Sequence, residues 1–160
     1  MRDRLPDLVP SIDEVETVLV LERDEVAPGR TRIVNEWRST QHIPAVLAKA
    51  LHATEIGWID RSEWDSVTRV CRWSIEPSVL GEHIECRGTT TYASAMGGRG
   101  SRITFAGSFD LAPGALGKLA GPLERPVAAF VESMVTTLIP KNARSVFEAA
   151  AALVDTEVGS

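Results

Sequence analysis

The sequence lacks features that mark several large classes of protein. Only two of its 160 residues are cysteine, Cys71 and Cys86, which are too few for a disulfide scaffold and lack the spacing of a zinc site. Lysine and arginine number 17 against 22 aspartates and glutamates, so the net charge is −5 and the basic excess of a nucleic-acid-binding protein is missing. We therefore expect no nucleic acid among its partners.

Long hydrophobic runs are missing as well. Charged residues at 118, 124, 125 and 132 interrupt the longest apolar candidate, which therefore falls short of the roughly 18 uncharged residues of a membrane-spanning helix. Residues 1–11 contain charges but no continuous apolar stretch of the kind found in secretory signals. These absences predict a chain without a transmembrane segment and with a cytoplasmic location.

Histidine is scarce and poorly placed for metal binding. His42 and His52 are ten residues apart, which is not the spacing of a helical metal pair, and His83 falls on the polar side of a predicted strand. The sequence contains no acidic triad and no nucleophile motif, and the glycine-rich stretch at 97–100 is typical of a hairpin turn. We therefore expect no metal and no cofactor.

The composition that is present is that of an ordinary globular protein. Apolar residues make up 44% and charged residues 24%, and a chain of this length is predicted to fold as one domain over residues 1–160. Period-two patterns predict a hairpin and then a meander of strands, at 15–23, 31–38, 57–64, 67–76, 82–93 and 101–111. Pro44 and the apolar spacing that follows it predict a short helix over 43–51.

Turn chemistry predicts which residues of the meander lie opposite one another. A turn at Gly97 and Gly98 sets Tyr92 against Ile103, a loop over 76–81 sets Cys71 against Cys86, and a turn at Asp65 and Ser66 sets Asp60 against Cys71. The three registers agree on one face of the sheet, which carries Trp58, Asp60, Ser62, Arg69, Cys71, Trp73, Cys86, Gly88, Thr90, Tyr92, Ile103, Phe105 and Phe109. That face is aromatic with a few polar interruptions.

The C-terminal third has a helical pattern. Apolar residues recur at steps of three and four from Leu123 to Val154, and the stripe keeps its phase across Pro140. A proline inside a helix removes a hydrogen bond and clashes with the preceding turn, so we expect one long helix with a kink at Pro140. At 1.5 Å per residue such a helix is ~50 Å long, enough to cross a sheet.

The order of these elements resembles the START-like, Bet v 1-like superfamily (SRPBCC, polyketide cyclase-like) of helix-grip domains. The local stretches that carry the resemblance are at 34–39, 43–51, 62–77 and 131–142. The resemblance implies an α+β fold, in which a curved antiparallel sheet of about six strands wraps around the kinked C-terminal helix and leaves a cavity between them.

One departure from that family concerns the N-terminus. Its domains usually open with an additional strand and two short helices, whereas 14 residues precede the first predicted strand here. The resemblance therefore implies that the first strand is missing and that residues 4–10 are a remnant of the second helix. An open sheet edge would result, covered by an upstream segment, by the N-terminal tail or by a partner chain, so a homodimer through that edge is a further hypothesis.

The favoured function is the binding of a hydrophobic small molecule, lipid-like or polyketide-like, without catalysis. The predicted ligand-binding residues are the inward side chains of the strands and three from the helix: Asn35, Trp37, Trp58, Asp60, Ser62, Arg69, Cys71, Trp73, Cys86, Tyr92, Ile103, Phe105, Phe109, Phe130, Met134 and Leu138. The competing interpretation of the tryptophans is that they fill a core, and both can hold for different tryptophans.

Two other functions remain open. An aromatase-, cyclase- or dehydratase-type enzyme would use Asp60 as base, Arg69 to hold a carboxylate or enolate and Tyr92 as proton donor. The alternative for Asp60 and Arg69 is a structural salt bridge near the rim of the sheet. An interaction module would instead pair through its exposed first strand. Cys71 and Cys86 are either a redox pair or two small buried apolar side chains.

Overall fold

Six antiparallel strands form one sheet in the order in which they occur along the chain. The protein is represented by a computed structural model that describes residues 5–112, 114 and 121–158. The strands are β1 Val15–Ala27, β2 Arg30–His42, β3 Glu55–Asp65, β4 Val70–Pro77, β5 Ile84–Ala95 and β6 Gly100–Leu111. The α+β class and the six-stranded antiparallel sheet are confirmed, and β1 and β6 are its edge strands.

The first hairpin joins the two strands predicted at 15–23 and 31–38. Only Pro28 and Gly29 separate β1 from β2, and Gly29 has a φ of +75° that a residue with a side chain would adopt at a cost. Both strands extend beyond the predicted ranges of 15–23 and 31–38.

Helices lie before, between and after the strands. A short helix, α1 Leu5–Leu8, continues into a 3-10 turn, Val9–Ser11, and α2 Ala45–Leu51 begins directly after Pro44. At the C-terminus, a 3-10 turn, Gly121–Leu123, leads into α3 Glu124–Ser133, a π-helical turn, Met134–Leu138, and α4 Ile139–Val158. Residues 124–158 are helical, as the pattern predicts for most of this range, and a π-helical turn lies just before Pro140; the kink expected at Pro140 stays a prediction.

The chain divides into two compact units. The described residues of 1–18, 37–56 and 113–160 form the first unit, and those of 19–36 and 57–112 form the second. In the first unit the most buried apolar side chains are Leu8, Ile12, Val127 and Val131. The second unit contains most of the sheet and the residues that the sequence assigns to its aromatic face.

The register between β5 and β6 is the predicted one. Tyr92 lies opposite Ile103, Thr90 opposite Phe105 and Cys86 opposite Phe109. The turn that sets this register runs from Met96 to Arg99, and both Gly97 and Gly98 have positive φ angles.

The other two predicted registers are wrong by four residues. Asp60 lies opposite Ile75 rather than Cys71, and Cys71 lies opposite Thr90 rather than Cys86. The β3–β4 turn occupies 66–69, because one carboxylate oxygen of Asp65 accepts the backbone N–H groups of Val67 and Thr68 at 2.9 Å each. Since the error is an even number of residues, each side chain keeps its face.

The cysteine result follows directly from the register. Cys71 and Cys86 are both buried and free, and they are four positions out of register on neighbouring strands. Four residues of strand correspond to ~13 Å, whereas a disulfide requires α-carbons within about 7 Å. The redox-pair hypothesis is therefore wrong, and the two thiols are buried small side chains.

Candidate ligand-binding site

One face of β3–β6, in the second unit, carries six aromatic side chains, and we call it the aromatic face. Its members alternate with polar residues along each strand: Trp58, Trp64, Trp73, Tyr92, Phe105 and Phe109. The opposite face carries mainly charged and hydroxyl side chains, as the period-two pattern of a half-buried strand predicts.

The indole of Trp73 lies on a floor made by two glycines. Gly88 and Gly107 face each other across β5 and β6, and a Cβ added to either one would come within 2.5 Å of the Trp73 ring. The indole stacks on Phe105 with ring centroids 4.7 Å apart and planes at 7°, and its Nε1 donates a hydrogen bond to Thr90 Oγ1 at 3.2 Å. Because these two glycines have no side chain, the ring can lie flat against β5 and β6.

A second aromatic pair lies beside the first along the strands. Trp64 stacks on Tyr92 with centroids 5.7 Å apart, and Trp64 Nε1 donates to Ser62 Oγ at 3.2 Å. The Tyr92 hydroxyl oxygen is buried and has no hydrogen-bond partner among the described residues. Burial, with a smaller contribution from nearby Cys71, raises the pKa of the Tyr92 phenol, so this hydroxyl stays protonated near neutral pH.

Trp64 is the aromatic residue that the sequence prediction missed. It continues the alternation of Trp58 and Ser62, so the signal was present in the period-two pattern. The turn placed at 65–66 ended the predicted strand next to Trp64, whereas the strand continues through Asp65 and Trp64 pairs with Cys71.

A polar cluster interrupts the aromatic face. Asn35 donates a hydrogen bond from Nδ2 to Asp60 at 3.3 Å, while its Oδ1 is buried without a hydrogen-bond partner among the described residues. Asn35 is only 2% exposed. Burial first, and the neighbouring Asp60 charge second, raise the pKa of Cys71 to about 12, so its thiol is neutral. The neighbours Asn35, Asp60, Cys71 and Tyr92 therefore lie on four adjacent strands, β2 to β5, and lead to the Trp64 stack.

The predicted pairing of Asp60 with Arg69 is wrong. Arg69 is exposed in the β3–β4 turn with a φ of 56°, beyond the last β3–β4 pair, in which Asp65 faces Val70. Asp60 lies five residues before that end, a distance of ~17 Å along a strand. Because of this offset Arg69 does not share a site with Asp60, and Asn35 takes the place beside the carboxylate.

The other predicted site residues have different surroundings. Cys86 is buried between Ile75 and Phe109, and Ile103 is exposed at the edge strand β6. Trp37, Phe130 and Met134 belong to the first unit, in which Trp37 is buried. Leu138 ends the π-helical turn, and its side chain lies outside the described residues.

The face opposite the aromatic face contains a groove of about 550 Å³, which we call the arginine groove. Four guanidinium groups line it, one from each of β2, β3, β4 and β5, together with two carboxylates, hydroxyl groups and strand backbone: Arg32, Arg61, Arg72, Arg87, Glu22, Glu63, Ser74, Thr89, Val34, Ser62, Trp73 and Gly88. Sequence reasoning missed this groove because its residues read as the solvated side of separate strands.

Within the described residues, no group of three or more histidine, cysteine or acidic side chains is arranged to hold a metal ion. No helix in that part of the chain is long and apolar enough to span a membrane. Comparison of the chain with protein-family models and with curated proteins gives no match. The START-like resemblance therefore stays a prediction that rests on the stretches quoted above.

Proposed function

We propose that this protein binds a largely apolar small molecule on the aromatic face of its sheet. The observation that carries the proposal is a pair of buried polar atoms, Tyr92 OH and Asn35 Oδ1, without hydrogen-bond partners among the described residues. Leaving such an atom unpaired costs about 1–3 kcal/mol, so a ligand group that pairs with it stabilises the complex by a comparable amount. The ligand then needs an apolar body and at least one hydrogen-bonding group.

The surroundings of the two atoms favour an aromatic or polycyclic ligand. The Trp64–Tyr92 and Trp73–Phe105 stacks present flat apolar surfaces beside the polar cluster. Rings of a ligand gain both area burial and stacking energy from such surfaces. Asn35 Oδ1 only accepts hydrogen bonds, so the group that meets it is a donor such as a hydroxyl.

This chemistry agrees with what the START-like resemblance implies, a lipid-like or polyketide-like ligand. The helix-grip arrangement, in which the C-terminal helix would cover the ligand, is part of the same proposal. Binding is favoured over an aromatase or cyclase reaction, because that reaction was assigned to Asp60 together with Arg69, and the register separates these two residues.

A pair of probes that differ by one hydroxyl tests the proposal. Calorimetric titration with 2-naphthol and with naphthalene measures the polar and apolar parts of binding separately. Tyr92→Phe should weaken 2-naphthol binding about 5- to 10-fold, the value of one hydrogen bond, and leave naphthalene unchanged. Phe105→Ala should weaken both probes.

Thr104→Ala is the matched control, because Thr104 neighbours Phe105 in β6 and points to the opposite face. It should leave both affinities unchanged. The proposal fails if neither probe binds the wild-type protein, or if Thr104→Ala weakens binding as much as Phe105→Ala does.

Self-association through β1 is a second candidate function, favoured by a separate observation. Leu19, Val20 and Leu21 are 54%, 45% and 52% exposed on this edge strand. Consecutive strand residues point to opposite faces, so apolar side chains are exposed on both sides of a strand that pairs only with β2 in the described sheet. We propose that β1 pairs with β1 of a second copy.

Sedimentation at increasing protein concentration tests the second candidate. Val20→Lys should shift the protein toward the monomer, while Val67→Lys, in the exposed β3–β4 turn, should not. If the wild-type protein stays monomeric at about 100 µM, a stable dimer through β1 is ruled out.

A further inference from the structure

The geometry points to a second binding site, in the arginine groove, for a small molecule that carries two or more carboxylate or phosphate groups. This site lies on the opposite face of the sheet from the aromatic face and does not depend on the function proposed for that face.

Two rows of side chains form the walls of the groove. The register aligns Arg61, Ser74 and Arg87 in one row across β3, β4 and β5, and Glu63, Arg72 and Thr89 in the next. Between the rows, Ser62, Trp73 and Gly88 are also aligned, and their side-chain positions belong to the aromatic face, so their backbone forms the floor.

The dimensions suit a small molecule. Three strands spaced about 4.8 Å apart make the groove ~10 Å long, and a volume of about 550 Å³ lies within the usual range for small-molecule sites. Glu22, Arg32 and Val34, from β1 and β2, line the groove as well. The groove therefore draws on five strands.

The charges in the groove are unequal. Four guanidiniums line it against the two carboxylates of Glu22 and Glu63. Two further carboxylates, Glu76 and Glu85, pair with Arg61 and Arg87, so the positive charge available to a ligand is that of Arg32 and Arg72. An excess of positive charge within a concave site attracts an anion.

Two of the four arginines form ion pairs with acids near the groove. Arg61 is bonded to Glu76 at 2.7 Å, and Arg87 to Glu85 at 2.8 Å. Both pairs lie at the surface, and each guanidinium keeps further N–H donors, because a guanidinium has five.

The other two arginines have no acidic partner within 4.0 Å among the described residues. Arg72 faces Glu63 across the strands, yet the Glu63 carboxylate lies 3.8 Å from Arg30 instead. Arg32 and Arg72 thus offer two unpaired planar forks, the geometry that binds carboxylate and phosphate through two hydrogen bonds. Guanidiniums at separate points of the groove favour a ligand with more than one anionic group.

Calorimetric titration with citrate and with pyrophosphate at low salt tests the inference. Arg72→Gln and Arg32→Gln should each weaken binding about 10-fold or more, and raising NaCl to about 200 mM should weaken wild-type binding. Tighter binding of citrate assigns the site to carboxylates, and tighter binding of pyrophosphate assigns it to phosphates. Either result supports a polyanion site.

Arg102→Gln is the matched control, because Arg102 lies on the same face in β6 but does not line the groove. It should leave both affinities unchanged. The inference is overturned if neither anion binds wild type, or if Arg102→Gln weakens binding as much as Arg72→Gln. Thermal melts show whether each variant is folded, and 2-naphthol affinity, unchanged in Arg72→Gln, separates this site from the aromatic face.

Discussion

The floor beneath Trp73 predicts a large penalty for one added methyl group. A Cβ on Gly88 would lie 2.2 Å from the backbone oxygen of Ala106 and 2.4 Å from Cζ2 of Trp73. Side-chain carbons do not approach other heavy atoms that closely, and the first contact is with backbone. Gly88→Ala therefore forces β5 and β6 to shift and the indole to leave its place.

The magnitude follows from the contacts that would be lost. Overpacking costs about 1–3 kcal/mol, and displacing the indole loses about 1 kcal/mol of stacking on Phe105 and about 1 kcal/mol of hydrogen bonding to Thr90. The substitution itself offsets roughly 0.5–1 kcal/mol of this destabilisation, because alanine loses less backbone entropy than glycine on folding. The expected loss in the free energy of unfolding is about 3 kcal/mol.

Urea unfolding followed by tryptophan fluorescence measures this loss. Gly107→Ala should behave similarly, because its Cβ would lie 2.5 Å from Cη2 of Trp73. Gly100→Ala, in the same strand as Gly107, is the control, since its Cβ would meet only Met96 Sδ at 3.4 Å and Cγ at 3.9 Å. It should be neutral or slightly stabilising. A loss below about 1 kcal/mol for Gly88→Ala, or an equal loss for Gly100→Ala, would refute the reasoning.

Two further predictions concern ionisable groups. Burial raises the pKa of both Cys71 and Cys86. A thiol reagent at pH 8 should therefore label neither cysteine in the folded protein and both after unfolding. A Cys71–Cys86 disulfide formed under mild oxidation would contradict the register between β4 and β5. The Lys141 ammonium that binds the Glu14 carboxylate lowers the pKa of Glu14 below 4.5, so this pair stabilises the fold above that pH and loses its effect as the pH falls through the lowered value. Glu14→Gln should therefore be less stable than wild type at pH 7, and the difference should shrink below pH 4.5; an equal difference at pH 3 and pH 7 would exclude the charge as its cause.

The sequence predicted which face of the sheet each of these strand residues occupies, but it predicted the cross-strand neighbours correctly only between β5 and β6. Two of three registers were wrong by four residues, yet Trp58, Asp60 and Ser62 share their face with Trp73 as predicted. Alternation along a strand has a period of two, so an even error in register leaves the face unchanged. The same error separates Asp60 from Arg69, and with it the candidate acid–base pair.

The turn between β3 and β4 shows why register was hard to predict. Asp65 looked like the first residue of a two-residue turn, whereas its carboxylate caps a four-residue turn that begins at Ser66. The backbone N–H of Ser66 also donates to the carbonyl of Gly29, in a turn far away in the sequence. A contact of that kind leaves no trace in local patterning.

The sequence by itself determined where strands and helices lie and which strand residues share a side of the sheet. Those features depend on hydrophobic periods of two and 3.6 residues and on proline and glycine, which act within a few residues of chain. Only the tertiary structure decided which residues meet: Asn35 beside Asp60, Trp73 on its glycine floor, and the guanidiniums of Arg61, Arg72 and Arg87 around one groove. These meetings depend on hydrogen bonding between strands and on how each turn closes, and both join residues far apart in the chain.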